Sequence, residues 1–135
     1  MPRKIFVNLP VKDLDKTKVF FAKLGFSFNT QFTDSNAACM IVSDDISVML
    51  LVEKFFKTFT KKEICDAKRS TEVLLALNVE DRAKVDETIK LALAAGGKEA
   101  REPQEHGWMY GRSFEDLDGH IWEIFWMDEG AMNKK

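Results

Sequence analysis

The two halves of this chain repeat one order of predicted secondary-structure elements, and this repeat limits the possible folds more than any single motif does. In the first half, residues 5–11 show the period-two alternation that is typical of a strand. Residues 14–24 then carry apolar side chains at helical spacing, and Asp13 or Asp15 is placed to cap this helix. Three short strands are predicted within residues 26–53, with polar turns between them.

The second half follows the same order of elements. Residues 73–79 alternate like a strand, and a helix is predicted to begin at Glu80 and Asp81 and to end at a pair of glycines. Three more strands are predicted within residues 98–127. Chance rarely reproduces five elements in one order, so we predict an α+β fold built from two βαβββ modules.

The whole chain is predicted to form one domain. Its 135 residues suit a single domain and leave little room for a second. We place this domain at residues 1–135, with modules at about 3–54 and 72–128 and a linker at about 55–71. The phenylalanines of the linker either anchor it or hold it as a flap over an apolar surface.

Composition and charge exclude several kinds of partner. The net charge is −2 and basic residues are spread along the chain, so we expect no nucleic-acid partner. No run approaches the ~20 apolar residues of a membrane span, and the N-terminus lacks the apolar stretch of a signal peptide. Cys39 and Cys65 lack CxxC spacing, and we expect two reduced thiols in a cytoplasmic protein.

Two stretches of the sequence resemble the signatures of a known family. Residues 7–14 (VNLPVKDL), together with residues 20–26 (FFAKLGF), are similar to the opening of glyoxalase/bleomycin resistance/dioxygenase proteins, the vicinal oxygen chelate superfamily. Residues 114–124 (FEDLDGHIWEI) resemble the turn and glutamate-bearing strand of that family, although Leu117 stands where the loop usually has proline. The nearest resemblance is to uncharacterised bacterial members known as predicted lactoylglutathione lyases.

This resemblance implies a shape and an assembly. Family members form a cup-shaped mixed sheet with the helices outside, and many build their cups across a two-fold dimer. Exposed sheet edges in each half also need covering. We therefore expect a homodimer with a cavity near or at the interface.

The resemblance also implies four metal-ligand positions, on the first and fourth strands of each half. These positions are Phe6, Leu50, Leu74 and Glu123. Only Glu123 can coordinate a metal, and one carboxylate does not fix an ion that needs three or more protein ligands. We therefore expect no metal cofactor. An alternative is a relocated all-oxygen site made of Asn8, Glu72 and Glu123, which would suit Mg²⁺ or Mn²⁺.

Without a metal, the cup is predicted to have an apolar wall with a few polar groups, as small-molecule sites usually do. The residues predicted to bind a ligand are Phe6, Asn8, Leu50, Glu72, Leu74, Trp108, Tyr110, Arg112 and Glu123. We expect Arg112 and Glu123 to share one wall, because antiparallel neighbours joined by a tight turn keep their same-face residues close. The alternative is that these side chains fill the barrel and leave no cavity.

The stretch from His106 to Arg112 is the most unusual of the chain. Its indole, phenol and guanidinium either bind an anionic or planar ligand or pack within a sheet. His106 is a candidate general base, whereas His120, in a predicted turn, is expected to be structural or solvated. No nucleophile arrangement is present, and the catalytic residues, if any, are unknown.

Two functions remain from different classes. The first is a metal-independent protein that binds a small amphipathic or aromatic molecule, as bleomycin resistance proteins do. The second is a lyase or another enzyme of the glyoxalase/dioxygenase type, with a relocated or degenerate metal site or with Glu72, Glu123 or His106 as an acid–base catalyst. The three apolar ligand positions favour binding, and the sequence does not name the ligand.

Overall fold

A computed structural model describes residues 1–132 of the chain, with side chains described up to residue 130. The chain divides into two compact units, Met1–Cys65 and Asp66–Lys135. Each unit contains one mixed β-sheet and one longer helix. No helix within residues 1–132 is long and apolar enough to cross a membrane.

The first unit is built on a four-stranded sheet. Its elements in chain order are β1 Ile5–Val11, α1 Leu14–Lys23, β2 Ser27–Phe28, β3 Ala37–Ser43, β4 Ile46–Val52 and α2 Glu53–Phe56. Short 3₁₀ turns follow β2 and α2. The strand order is β1-β4-β3-β2, in which β1 and β4 are parallel. The strand β1 therefore forms one edge of this sheet.

One face of the first sheet carries the core of this unit. The strand register places Leu9, Leu50 and Ala38 side by side, and all three are buried. The helix α1 contacts β3 and β4 and contributes Phe20 and Phe21, which are also buried. Their rings meet edge to face with 5.0 Å between the centroids. Apolar burial on this face therefore joins helix and sheet.

The second unit is built on a five-stranded sheet. Its elements in chain order are β5 Leu74–Asn78, α3 Arg82–Ala94, β6 Lys98–Glu99, β7 Gln104–Glu105, β8 Met109–Glu115, β9 Ile121–Met127 and α4 Glu129–Met132. The strand order is β5-β9-β8-β6, and β7 pairs separately with β8. In this sheet β5 pairs with β9 in parallel, the pairs of β8 with β6, β7 and β9 are antiparallel, and β5 forms an edge.

The helix α3 packs on β8 and β9, and this contact forms the core of the second unit. Phe114 and Trp122 lie opposite each other in the register, and their rings stack with 6.4 Å between the centroids. The buried residues of this core are Val85, Ile89, Ala92, Phe114, Trp122 and Ile124. This burial fixes which face of β8 and β9 turns away from the helix.

The α+β fold with two strand–helix–strand modules is confirmed. Both predicted helix caps are present: the Asp13 carboxylate accepts the N–H of Lys16 at 3.1 Å, and the Asp81 carboxylate accepts the N–H of Lys84 at 2.8 Å. The second strand of each module is shorter than predicted: β2 and β6 have two residues each. The strand β7 was not predicted. The single domain of residues 1–135 stays a prediction.

A tight turn between β8 and β9 is organised by one buried carboxylate. Oδ1 of Asp116 accepts the backbone N–H groups of Asp118 and His120, each at 3.0 Å. Oδ2 of Asp116 accepts the indole N–H of Trp122 at 2.9 Å. Burial raises the pKa of Asp116 above its usual value. This turn sets the register of β9, and therefore the direction of every side chain on that strand.

Candidate functional site

The sheet of the second unit has one face against α3 and one face turned away from it. Ser113, Glu123 and Ala76 lie side by side across β8, β9 and β5, so their side chains share a face. Trp122 and Ile124 lie on the helix-packed face. We call the other one the open face, and its residues are Leu74, Ala76, Asn78, Gly111, Ser113, Ile121, Glu123 and Phe125.

An ion pair lies on the open face. Arg101 reaches Glu123 from the loop between β6 and β7, with Nη2 3.3 Å from Oε1 and 3.2 Å from Oε2. The side chain of Glu123 is 23% exposed and that of Arg101 is 50% exposed. The counter-charge of Glu123 is therefore an arginine that the sequence reasoning did not identify, because Arg101 comes from a loop where no periodicity applies.

A buried hydroxyl lies beside this ion pair. Ser113 is opposite Glu123 in the register and only 1% of it is exposed. Its Oγ has no hydrogen-bond partner within the described residues. An unsatisfied buried polar group typically costs about 1–3 kcal/mol, so such groups are rare in folded proteins. The backbone N–H of Ala100 donates to the carbonyl of Ser113 at 3.2 Å, which holds the segment before Arg101 against β8.

Arg112 lies on the opposite face from Glu123, so the prediction that they share one wall is wrong. The register pairs Arg112 with Ile124, and the guanidinium bonds Asp86 of α3 at 3.0 Å and Glu99 of β6 at 2.9 Å. The turn between the strands holds an odd number of residues, which gives Arg112 and Glu123 opposite faces.

Tyr110 also serves the contact between α3 and the sheet. Its hydroxyl donates to Asp86 at 2.6 Å, and this hydrogen bond lowers the pKa of the Asp86 carboxyl. Burial, together with Asp86, raises the pKa of Tyr110. Tyr110 and Arg112 share a face as the strand parity predicts, but the structure brings them to the helix instead of the open face.

The hairpin of β7 and β8 is fastened to the start of α3 by Arg82. Its guanidinium pairs with Glu105 and donates to the carbonyl of Gly107 at 2.8 Å. The Arg82 hydrogen bond is the main reason that the pKa of Glu105 falls to about 2. The same guanidinium lies over the rings of Tyr110 and Trp126, at 5.5 and 4.9 Å from their centroids. All these groups have protein partners, which gives them a structural role.

Trp108 and His106 lie at the tip of this hairpin. Trp108 precedes β8, so the alternation of faces along that strand does not place it with Tyr110 and Arg112. Its ring stacks on the imidazole of His106 with 6.1 Å between the centroids, and about half of Trp108 is exposed. The charge of Glu105 interacts with this imidazole, but the Glu105 carboxylate is already paired with Arg82.

In the strand register of the first unit, the counterpart of Glu123 is Met49, and Leu50, the predicted fourth-strand position, lies on the other face. In the second unit, the residue that pairs with Glu123 is Ala76, which lies two residues after the first-strand position Leu74. In the first unit, the residue two after the first-strand position Phe6 is Asn8, and Asn8 pairs with Met49. Leu50 belongs to the buried face, because a shift of one residue moves a side chain to the other side of a strand.

The donor set of the chain does not fit a metal site of the family type. Phe6, Met49 and Leu74 offer no oxygen or nitrogen ligand, and Phe6 and Leu74 are more than half exposed. Glu72 lies before β5 and is exposed, so it does not share a strand face with Leu74. Within residues 1–132 no group of three or more His, Cys, Asp or Glu side chains is close enough to hold a metal ion.

A cleft of about 600 Å³ lies at the ends of β5 and β9. Its lining residues are Asn78, Val79, Glu80, Phe125, Trp126, Met127, Asp128 and Glu129. Phe125 and Asn78 belong also to the open face, so the cleft is continuous with that face. Aromatic and apolar side chains with a few polar groups are the usual lining of small-molecule sites.

Comparison with known families identifies the class of protein. The model of the glyoxalase/bleomycin resistance protein/dioxygenase superfamily matches residues 5–124, and the chain belongs to this superfamily. The predicted superfamily is thereby confirmed. No curated protein is significantly similar in sequence.

Several solved structures are similar to this chain. A hypothetical protein from S. aureus is 29% identical, with a TM-score of 0.78 and coverage of 93% of this chain and 94% of that one. A glyoxalase-related enzyme from Fulvimarina pelagi is 19% identical, with a TM-score of 0.79 and coverage of 93% and 88%. The fosfomycin resistance protein FosX from Mesorhizobium loti is 14% identical, with a TM-score of 0.69 and coverage of 99% of both chains. The last two likenesses establish the fold alone.

Proposed function

We propose that this chain is a metal-independent, small-molecule-binding protein of the glyoxalase/bleomycin resistance type. The observation that carries the proposal is the donor set: three of the four family positions hold Phe6, Met49 and Leu74. The fourth, Glu123, has Arg101 as its cationic partner. A guanidinium supplies the positive charge that a metal would otherwise supply to this carboxylate.

The open face supports a binding role. Leu74 is 56% exposed and lies on the same face as Glu123 and Phe125, so apolar surface surrounds a small polar centre. Solvent-exposed apolar surface beside a few polar groups favours an amphipathic ligand. Lactoylglutathione lyase activity is not part of the proposal, because only Glu123 of the four positions is a metal donor and no cluster of three His, Cys, Asp or Glu side chains occurs within residues 1–132.

Protein purified without chelator is expected to carry no stoichiometric divalent metal. Added Ni²⁺ or Zn²⁺ should leave the melting temperature unchanged, because an ion that binds only the folded state raises that temperature by mass action. Elemental analysis by mass spectrometry and thermal unfolding with and without EDTA measure these two quantities.

The variants Glu123→Gln and Glu102→Gln serve as a matched pair for this experiment, since Glu102 is exposed and lies outside the residues of the open face. One metal per chain, lost in Glu123→Gln and retained in Glu102→Gln, would show that Glu123 ligates a metal and would refute the proposal.

We also propose that the protein forms a homodimer. The strands β1 and β5 are edge strands, and exposed apolar side chains accompany both of them, at Ile5, Phe6, Val73 and Leu74. Unprotected edges of this kind favour association with another chain. Light scattering at micromolar concentration should give about twice the chain mass of 15.5 kDa. A mass equal to that of one chain would contradict the proposal.

A cytoplasmic location is part of the same proposal. Cys39 is a free cysteine and is buried in the first unit. Free thiols are typical of proteins that work in a reducing compartment.

A further inference from the structure

The ion pair on the open face leaves much of its hydrogen-bonding capacity unused. A guanidinium has five N–H donors in a planar fork. Arg112, on the opposite face, uses Nε, Nη1 and Nη2 in bonds to Asp86 and Glu99. Arg101 uses only Nη2, and within residues 1–132 its Nε and Nη1 have no protein partner. The fold uses all three nitrogens of Arg112 as donors, whereas Arg101 keeps two nitrogens for a further acceptor.

Glu123 and Ser113 also keep free capacity. A carboxylate has about four acceptor sites, and within the described residues Glu123 accepts only from Arg101, at distances of 3.2 Å or more. The Ser113 hydroxyl is buried without a partner and lies across the strand pair from Glu123. A ligand group that lies against the Arg101–Glu123 pair therefore meets a free donor and a free acceptor, and the unpartnered Ser113 hydroxyl lies beneath them, where it can act as either.

The charges of this cluster select the kind of group that fits. Arg101 and Glu123 cancel each other, so a carboxylate ligand is repelled by Glu123 and an ammonium ligand is repelled by Arg101. An uncharged group with an N–H or O–H donor beside a carbonyl acceptor satisfies both partners without leaving a charge unpaired.

We infer that Arg101, Glu123 and Ser113 form the recognition centre of the open face for an uncharged molecule in which an N–H donor adjoins a carbonyl, as in a primary amide or a lactam. This inference rests on the proposed function, since a metal at Glu123 would occupy the same acceptor atoms.

The surroundings of the cluster indicate an apolar body on the ligand. Ile121 and Phe125 lie before and after Glu123 on the same face of β9. A two-residue step along a strand covers about 6–7 Å, which matches the size of an aromatic ring. Benzamide is therefore the simplest probe, because it joins one ring to one primary amide.

Benzamide, benzoate and benzamidine test the inference, because they share a ring and a planar head but are neutral, anionic and cationic. Titration of isotopically labelled protein by NMR, followed at Arg101 Nε–H and at the backbones of Ser113 and Glu123, reports both affinity and location. We expect roughly millimolar binding of benzamide, as is usual for fragments. Its affinity should exceed those of benzoate and benzamidine by at least about threefold, which is a modest charge discrimination.

Two variants should change the preferred charge. In Glu123→Gln the free cation of Arg101 remains, so benzoate should become the tightest of the three probes. In Arg101→Met the carboxylate of Glu123 remains, so benzamidine should become the tightest. We expect each reversal to shift the ratio of affinities by about tenfold. Ser113→Ala should weaken benzamide about fivefold, as expected for the loss of one hydrogen bond, and leave the order of the probes unchanged.

Glu102→Gln is the control for these variants, and it should leave all three affinities unchanged. Each variant is first checked for an unchanged amide spectrum away from the substitution. The inference is overturned if none of the probes shifts the signals of the cluster. It is equally overturned if benzoate or benzamidine binds the unaltered protein best, or if the two charge variants do not reverse the order.

A comparison with EDTA separates this inference from the proposed function. Binding that disappears with EDTA and returns with Zn²⁺ would place a metal at Glu123 and refute the proposed function itself. An order of probes that is wrong but indifferent to EDTA would refute only the class of ligand.

Discussion

Replacement of Asp116 by alanine is expected to lower the free energy of unfolding by about 3–4 kcal/mol, because it leaves three N–H donors without an acceptor. Two of the donors are the backbone N–H groups of Asp118 and His120, and the third is the indole N–H of Trp122. Trp122 is completely buried, so water does not replace the lost acceptor. Urea unfolding followed by circular dichroism measures the change.

The variant Asp116→Asn separates the parts of this network. Its amide oxygen still accepts the two backbone N–H groups, but its second position presents a donor to Trp122. We expect a smaller loss than in Asp116→Ala, and a coupling of about 1–2 kcal/mol with Trp122→Phe in a double-mutant cycle. A loss below about 1 kcal/mol in Asp116→Ala would show that the turn does not depend on this carboxylate.

The stability difference between the unaltered protein and Asp116→Asn should depend on pH, and the direction of this dependence follows from the pKa of Asp116. Since burial raises the pKa of Asp116, the folded state holds this proton more tightly than the unfolded state does. The part of the stability that comes from this difference in proton binding is therefore fully present below the unfolded pKa of Asp116 and is lost as the pH rises through its folded pKa. The stability of the unaltered protein relative to Asp116→Asn should fall over that interval.

Gly119→Ala is expected to destabilise the protein by about 3 kcal/mol, for two reasons that add. The φ angle of Gly119 is +92°, a conformation that costs a side chain about 1–2 kcal/mol. A Cβ there would also lie 2.8 Å from the backbone nitrogen of Lys68 and 2.9 Å from the carbonyl carbon of Ala67, and such overpacking costs about 1–3 kcal/mol. Chemical denaturation measures the sum.

Gly107→Ala is the control for the second of these reasons. Gly107 has a φ of +77°, but nothing lies within 4 Å of a Cβ at that position. We therefore expect a loss of about 1 kcal/mol, from the backbone conformation alone. Equal losses in Gly107→Ala and Gly119→Ala would mean that the segment around Lys68 moves aside without cost.

The sequence predicts the fold well because the signals that define it are local. Alternation along residues 5–11 and 73–79, helical spacing after each of them, and the capping aspartates depend only on near neighbours, and their repetition adds weight. The boundaries of the short strands β2, β6 and β7 are harder to predict from the sequence, because the neighbouring strand, and not local preference, decides whether two residues pair.

The faces of the site could be predicted only in part. Placing Glu123 with Leu74, Ala76 and Phe125 follows from the period of two and agrees with the register. The position of Arg112 depends on whether the turn before β9 holds an odd or an even number of residues, and the sequence of the turn does not settle this. The hydrogen bonds of Asp116 to Asp118 and His120 settle it, since they fix the turn at residues 116–120.

The contact of Arg101 with Glu123 could not be predicted from the sequence pattern. It lies in a loop between two short strands, where neither a period of two nor a period of 3.6 assigns a direction. Its meeting with Glu123 is a contact between residues distant in sequence. The alternation of faces orders residues within a strand, but which loop side chain reaches that strand depends on the tertiary structure.

The close approach of Ala67 and Lys68 to Gly119 limits where the chain can be cut or interrupted without disturbing the second unit. The residues predicted as one linker belong to both units: α2 contacts β1 and β4 of the first, and the segment from Asp66 lies against the turn before β9. A protease site or an inserted tag placed within residues 61–63, which are exposed, spares both sets of contacts. A junction at residues 66–70 would loosen the turn that orients Glu123, so a gene split for separate expression belongs before Asp66.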